Sequence, residues 1–274
     1  AEIKSLLARG IFEFDLVAQD LAAFGTDRGR SEFPALLAEL SKLEGDFWVR
    51  LLYIHPDNFP LEILSLIEED RRILPYFDIP LQHASKQILA SMGRVGDRDT
   101  YRRLFETIRS RLPDAVIRST FLLGYPGEGR REREELGSFL QEVSCDWAGF
   151  FLYSREEGTR ASELTSGLRN RITHRAAEKQ KPSLEAIQET ITMEHLSRHV
   201  GRVLPVLIEE NVKGEELSLG RSYIQAPEVD GLVVVHGGNH RPGSIVSCRI
   251  IKVNGVDLEA VPIGEDVDGS SALP

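Results

Sequence analysis

Five apolar runs are spaced along residues 11–159, and each ends in polar side chains or glycine: IFEFDLVAQD (11–20), FWVRLLYIHP (47–56), YFDIPLQH (76–83), IRSTFLLGYPGE (117–128) and WAGFFLYSREEGT (147–159). Short apolar runs bounded by turn residues read as buried strands. The stretches between them carry helical patterns: FPALLAELSKL (33–43), PLEILSLIEED (60–70), SKQILASMG (85–93), DRDTYRRLFETIRSRL (97–112) and REREELGSFLQEV (131–143). Pro60 suits a helix start, Asp97 an N-cap and Gly93 a stop. Strand and helix in alternation predict a parallel sheet with right-handed crossovers. A βα barrel keeps its chemistry at the C-terminal strand ends, where these polar residues fall. Five strands cannot close an eight-stranded ring. The α/β expectation is therefore a partial, open barrel of TIM type, lacking at least one strand before residue 1. The opening AEIKSLLARG, with a helix expected over 2–9, reads as the inside of a domain, so more chain is expected upstream.

A long charged helix is expected over about 170–199, and past residue 200 the texture changes. Short strands are expected over 202–212, within 216–235, over 244–255 and over 257–263, with turns at KGEE, HGGNHRPG and NG. This pattern predicts a small all-β barrel of OB-like type. The division expected is 1–199, 200–264 and a flexible tail over 265–274. The net charge of −10 argues against a general grip on phosphates. No apolar run approaches the ~18 residues that span a bilayer, and no leader is visible, so a cytoplasmic protein is expected. Cys145 and Cys248 stand alone, without CxxC spacing; they read as small buried apolar residues and supply no metal site.

FDLVAQDLAAFGTD (14–27), FWVRLLYIHPDNFP (47–60), ILPYFDIPLQHASKQILASMGR (73–94), LPDAVIRSTFLLGYPGE (112–128) and FFLYSREEGTRA (150–161) resemble the radical S-adenosylmethionine core of methylthiotransferases. The β-rich part resembles the TRAM domain that follows that core. GRSYIQAPEVDG (220–231) is similar to the signature of the RimO branch, which methylthiolates the β-carbon of an aspartate in a small-subunit ribosomal protein. The resemblance implies S-adenosylmethionine and [4Fe–4S] clusters as cofactors. It also departs from the family, because the CxxxCxxC loop whose thiolates hold the cluster is missing here. The chain is expected to be a C-terminal part of a longer enzyme and inactive alone.

Residue by residue, the resemblance places Gln19 and Asp20 against the methionine ammonium, and Gln82 and His83 near the ribose hydroxyls or the substrate. Arg118 would fork onto the methionine carboxylate. Gly124 to Glu128 would pass the adenosyl group, and Phe151 and Tyr153 would wall the adenine. No catalytic residue is assigned. Each has a plainer reading: Gln19 and Asp20 as loop starters, His83 as a core histidine, Arg118 as an interior partner of Asp20 or Glu128, and GYPGE as a turn. Residues 200–263 carry eight acids against six bases, and Tyr223 alone among aromatics. That suits a basic ribosomal-protein partner better than the alternative, a tRNA, which asks for a basic groove with stacking rings. A non-catalytic binding module is the rival of a different class.

Overall fold

The computed structural model describes residues 2–164 and 167–264. Helix α1 (Glu2–Leu7) leads into β1 (Glu13–Val17), α2 (Phe33–Ser41), β2 (Trp48–Leu52), α3 (Ile63–Glu69) and β3 (Ile73–Asp78). Then follow α4 (Lys86–Ser91), α5 (Arg98–Arg111), β4 (Val116–Leu123), α6 (Arg130–Val143), β5 (Trp147–Leu152), α7 (Arg160–Glu163) and α8 (Gly167–Ser197). The five strands form one parallel sheet in the order β1-β2-β3-β4-β5. Spatial order equals chain order, as expected when every crossover returns on the same side. The register slides along the sheet: Asp78 near the end of β3 lies beside Arg118, the third residue of β4, and Arg118 lies beside Trp147, the first of β5. Such stagger curls a sheet into a barrel wall, and the partial βα barrel expected from the sequence is what forms.

Strand alternation sends Val49, Leu51, Ile73, Phe77, Ile117, Phe121 and Phe150 to one face, where they bury against Leu37, Leu64, Phe105, Leu136 and Phe139 of the helices. Each such side chain contributes about 1.5–3 kcal/mol on burial. The opposite face carries Trp48, Arg50, Tyr76, Asp78, Val116, Arg118, Trp147, Gly149 and Phe151.

One strand lies earlier than expected. The run read as 76–81 forms β3 at 73–78, and the segment after it keeps one bridge, Gln82 to Phe121. Pro80 has no N–H for the ladder, and Leu81 N donates instead to Ser119 Oγ at 3.2 Å. Helix α8 is tied to the sheet by His195, whose Nδ1 lies 2.6 Å from Asp146 Oδ1 and whose Nε2 lies 2.9 Å from Ser144 Oγ. The arrangement has the connectivity of a Ser-His-Asp triad. The amides of Ser144 and Asp146 are spent on the carbonyls of Leu140 and Ile117, so neither can receive an oxyanion, and the group serves as a tether.

β6 (Val203–Asn211), β7 (Leu217–Arg221), β8 (Val233–His236), β9 (Ile245–Asn254) and β10 (Asp257–Pro262) close into a barrel in the order β10-β8-β7-β6-β9. The region expected to be strand-rich over 216–235 splits into β7 and β8. Between them residues 222–232 form a loop that buries Tyr223, Ile224 and Ala226 in the same apolar cluster as Trp48, Tyr76 and Trp147 of the sheet. The tail expected over 265–274 lies outside the described residues.

Candidate functional site

The sheet face away from the helices has two halves. Its lower half is filled by the 222–232 loop. Arg50, fully buried, donates through Nε to Glu13 at 2.8 Å, through Nη1 to Tyr223 O at 2.8 Å and through Nη2 to Ser222 O at 3.4 Å. Its guanidinium also lies 4.7 Å above the Tyr76 ring. Arg221 of the barrel reaches back to Glu13 at 2.7 Å, and Trp147 Nε1 donates to Ile224 O at 2.8 Å. Burial alone would raise the Glu13 carboxyl, but Arg50 and Arg221 outweigh it and hold Glu13 below its ordinary value.

Above the filled half Tyr53 and Phe151 stay exposed, whereas the end of β4 is covered by α8. Three neighbouring strand ends adopt left-handed backbone: Tyr53 (φ 66°) after β2, Gln82 (φ 70°) after β3 and Gly124 (φ 77°) after β4. Two of the three are not glycine, and strain of this kind costs about 1–3 kcal/mol per residue and gathers at functional sites. Tyr53 went unnoticed in the sequence, which holds no signal for a positive φ at a tyrosine.

The residues picked from the sequence fall in different surroundings. Gln19 is exposed on the rim, whereas Asp20 is committed to structure: its carboxylate accepts from Ala22 N at 2.9 Å and His55 N at 3.0 Å, joining the ends of β1 and β2. His83 is fully buried, its Nδ1 accepting from Ser85 N at 2.9 Å, and burial pushes its pKa down to about 4. The core reading of His83 is the one the geometry favours. Gly124 and Glu128 clasp each other, Glu128 Oε2 accepting from Gly124 N, and helix α8 rides over Gly124 with Ala177 Cβ 3.1 Å from where a Cβ would stand. Arg118 is an interior partner, but of neither acid named for it: its Nη1 lies 3.3 Å from Asp78 and its Nε 3.4 Å from Asp230 of the barrel.

Arg118, Gly149 and Phe151 come together as a cradle. A Cβ on Gly149 would meet Phe151 Cε2 at 3.2 Å and Arg118 Nη2 at 3.8 Å, so the bare glycine leaves a gap between a cation and an aromatic ring that is 56% exposed. Gly149 was not among the residues singled out in the sequence, although a glycine inside a strand run is the signal of a close approach. Tyr153 stands beyond it, its ring 5.4 Å edge-on from Tyr125.

Glu128 carries a pH consequence. It is 3% exposed, Oε1 has no hydrogen-bond partner among the described residues, and burial raises its pKa from 4.5 to about 7. A carboxyl that binds its proton more tightly when folded loses stability as pH rises from 4.5 through 7. Glu128→Gln is therefore expected to match the wild type near pH 4 and to gain on it by about 3 kcal/mol near pH 8. Urea unfolding at both pH values checks this, and a constant difference refutes it.

Among the described residues no group of three His, Cys, Asp or Glu side chains could hold a metal ion, and no helix is long and apolar enough to cross a membrane. Cys145 and Cys248 are buried in separate apolar clusters, so they do not fit as ligands of one cluster.

Residues 200–263 match the family model described as TRAM domain. Half a parallel βα barrel, its lower face filled by a small closed β-barrel that matches the TRAM domain, is the class that fold and match define. Over nearly its whole length the chain is similar to proteins that carry the name RimO. The "Ribosomal protein uS12 methylthiotransferase RimO" of Treponema denticola is 39% identical over an alignment of 292 positions, gaps included, that takes in 96% of this chain and 62% of that protein. Its namesake in Alkaliphilus oremlandii is 36% identical over 260 residues, 94% of this chain and 58% of the relative. The chain thus spans about three fifths of the length of these relatives.

Proposed function

We propose that this chain is the barrel-and-TRAM part of a cytoplasmic radical S-adenosylmethionine methylthiotransferase that places a methylthio group on the β-carbon of an aspartate in ribosomal protein uS12, its two parts meeting near residue 200. The observation that carries the reading is the identity of 36–39% to two RimO proteins over 94–96% of the chain. The described residues do not fit a [4Fe–4S] cluster, and this chain alone is inactive. They do fit S-adenosylmethionine, which when bound supplies the radical chemistry. Arg118 takes the methionine carboxylate, Gly149 leaves it room, and Phe151 shields the apolar part from water. The uneven charge of residues 200–263 favours a basic protein partner.

Two experiments test this. A version extended upstream, reconstituted with iron and sulfide, and given reductant, S-adenosylmethionine and further sulfide as the sulfur source, is expected to add one methylthio group to uS12 by mass spectrometry, while the present chain takes up no iron. Modification of tRNA instead of uS12 would overturn the substrate. Gly149→Ala fills the cradle and is expected to weaken S-adenosylmethionine binding about tenfold, equivalent to about 1.4 kcal/mol. Calorimetric titration reads it, and unchanged affinity removes the cradle from the site.

A further inference from the structure

The 222–232 loop carries a barrel carboxylate into the sheet face. The Asp230 side chain is 1% exposed. Its Oδ2 accepts from Tyr76 Oη at 2.5 Å and from Ala226 N at 2.9 Å, which leaves Oδ1 to face Arg118 Nε at 3.4 Å. Asp78, anchored in β3, takes Nη1 of the same guanidinium at 3.3 Å. A planar guanidinium held at Nε and Nη1 by two fixed carboxylates has its third nitrogen fixed as well. That nitrogen, Nη2, is the one beside the Gly149 gap.

We propose that Asp230 is a positioning residue: a carboxylate supplied by the TRAM barrel that holds Arg118 with Nη2 turned into the Gly149 cradle, so that carboxylate recognition there depends on the barrel loop being seated. The inference rests on the cofactor placement above and adds to it, because it gives the GRSYIQAPEVDG segment a task inside the molecule instead of on its surface. Asp78 alone would leave the guanidinium free to pivot about one contact. Burial pushes the Asp230 carboxyl up, and the Tyr76 hydroxyl, the Ala226 amide and Arg118 counter that rise.

The test compares binding of S-adenosylmethionine with binding of its decarboxylated analogue, by calorimetric titration of the full chain. The wild type is expected to prefer S-adenosylmethionine at least tenfold, and Arg118→Ala to abolish the preference. Asp230→Asn has one carbonyl oxygen where two were in use. It is expected to cut the affinity for S-adenosylmethionine five- to tenfold and to leave the analogue unchanged. Tyr76→Phe keeps every carboxylate and removes one of the two donors that anchor Asp230, leaving the Ala226 amide, and is expected to act in the same direction two- to threefold; it stands in if Asp230→Asn does not fold. Loss of both ligands to the same degree would mean a merely structural role and overturn the proposal, as would full retention of the preference in both variants while Arg118→Ala loses it. A wild type that binds neither ligand, or both equally, overturns the cofactor placement itself.

Discussion

Arg50→Ala is expected to destabilise the protein by about 3–5 kcal/mol, because it leaves buried partners behind on both sides of the junction. Glu13, at 7% side-chain exposure, keeps only Arg221, while the carbonyls of Tyr223 and Ser222 lose the donors they were turned inward to meet. A buried polar group left unpaired costs about 1–3 kcal/mol, and here there are several. The contrasting control is Lys42→Ala, which breaks an exposed helix pair with Glu39 and should cost under about 0.5 kcal/mol. Denaturant unfolding followed by circular dichroism separates the two. A loss below 1 kcal/mol for Arg50→Ala would show that water takes over the vacated positions.

Gly231→Ala is the second large effect, expected at about 3 kcal/mol or more. Its backbone angle is not the reason. An added Cβ would lie 2.0 Å from Val256 O and 2.9 Å from Val256 C, main-chain atoms of the turn between β9 and β10 that cannot step aside alone. Leu232 N also donates to Asp257 Oδ1 at 2.9 Å, and Leu258 N to Leu232 O at 2.9 Å. The substitution should therefore part β10 from β8 and open the barrel. Gly214→Ala makes the comparison: it has φ 85° with nothing nearby, so only the left-handed backbone cost of about 1–2 kcal/mol applies. Thermal melting of both variants ranks them, and equal losses would refute the steric account.

The sheet was legible because each strand is an apolar run with a polar end, a local signal that survives without a partner. The position of β3 was less so. Ile79 and Leu81 are as buried as strand residues, and although Ile79 N still donates to Arg118 O, beyond Pro80 the amide of Leu81 turns to a side chain, Ser119 Oγ. The 222–232 loop misled for a related reason: Tyr223, Ile224 and Ala226 are buried by packing against the sheet, and burial in an irregular loop mimics a strand's composition. The candidate site was half visible. Arg118, Gly124 and Phe151 were marked by position on their runs, yet the charges that organise the face, Glu13, Arg50, Asp78 and Asp230, look like surface residues when read singly. Their partnerships join residues 37 and 208 positions apart, and no periodicity reaches that far.

The loop that caps Arg50 also bears on inheritance. Its grip is made largely of main-chain carbonyls, which every sequence possesses, whereas the shape that presents them depends on Gln225, Asp230 and Gly231. A chimaera that joined this half-barrel to the TRAM barrel of a distant cousin would be sound only if the donor's loop took the same bend. Recombination at residue 200 should therefore be selected against, and substitutions across the seam should accumulate in compensating pairs.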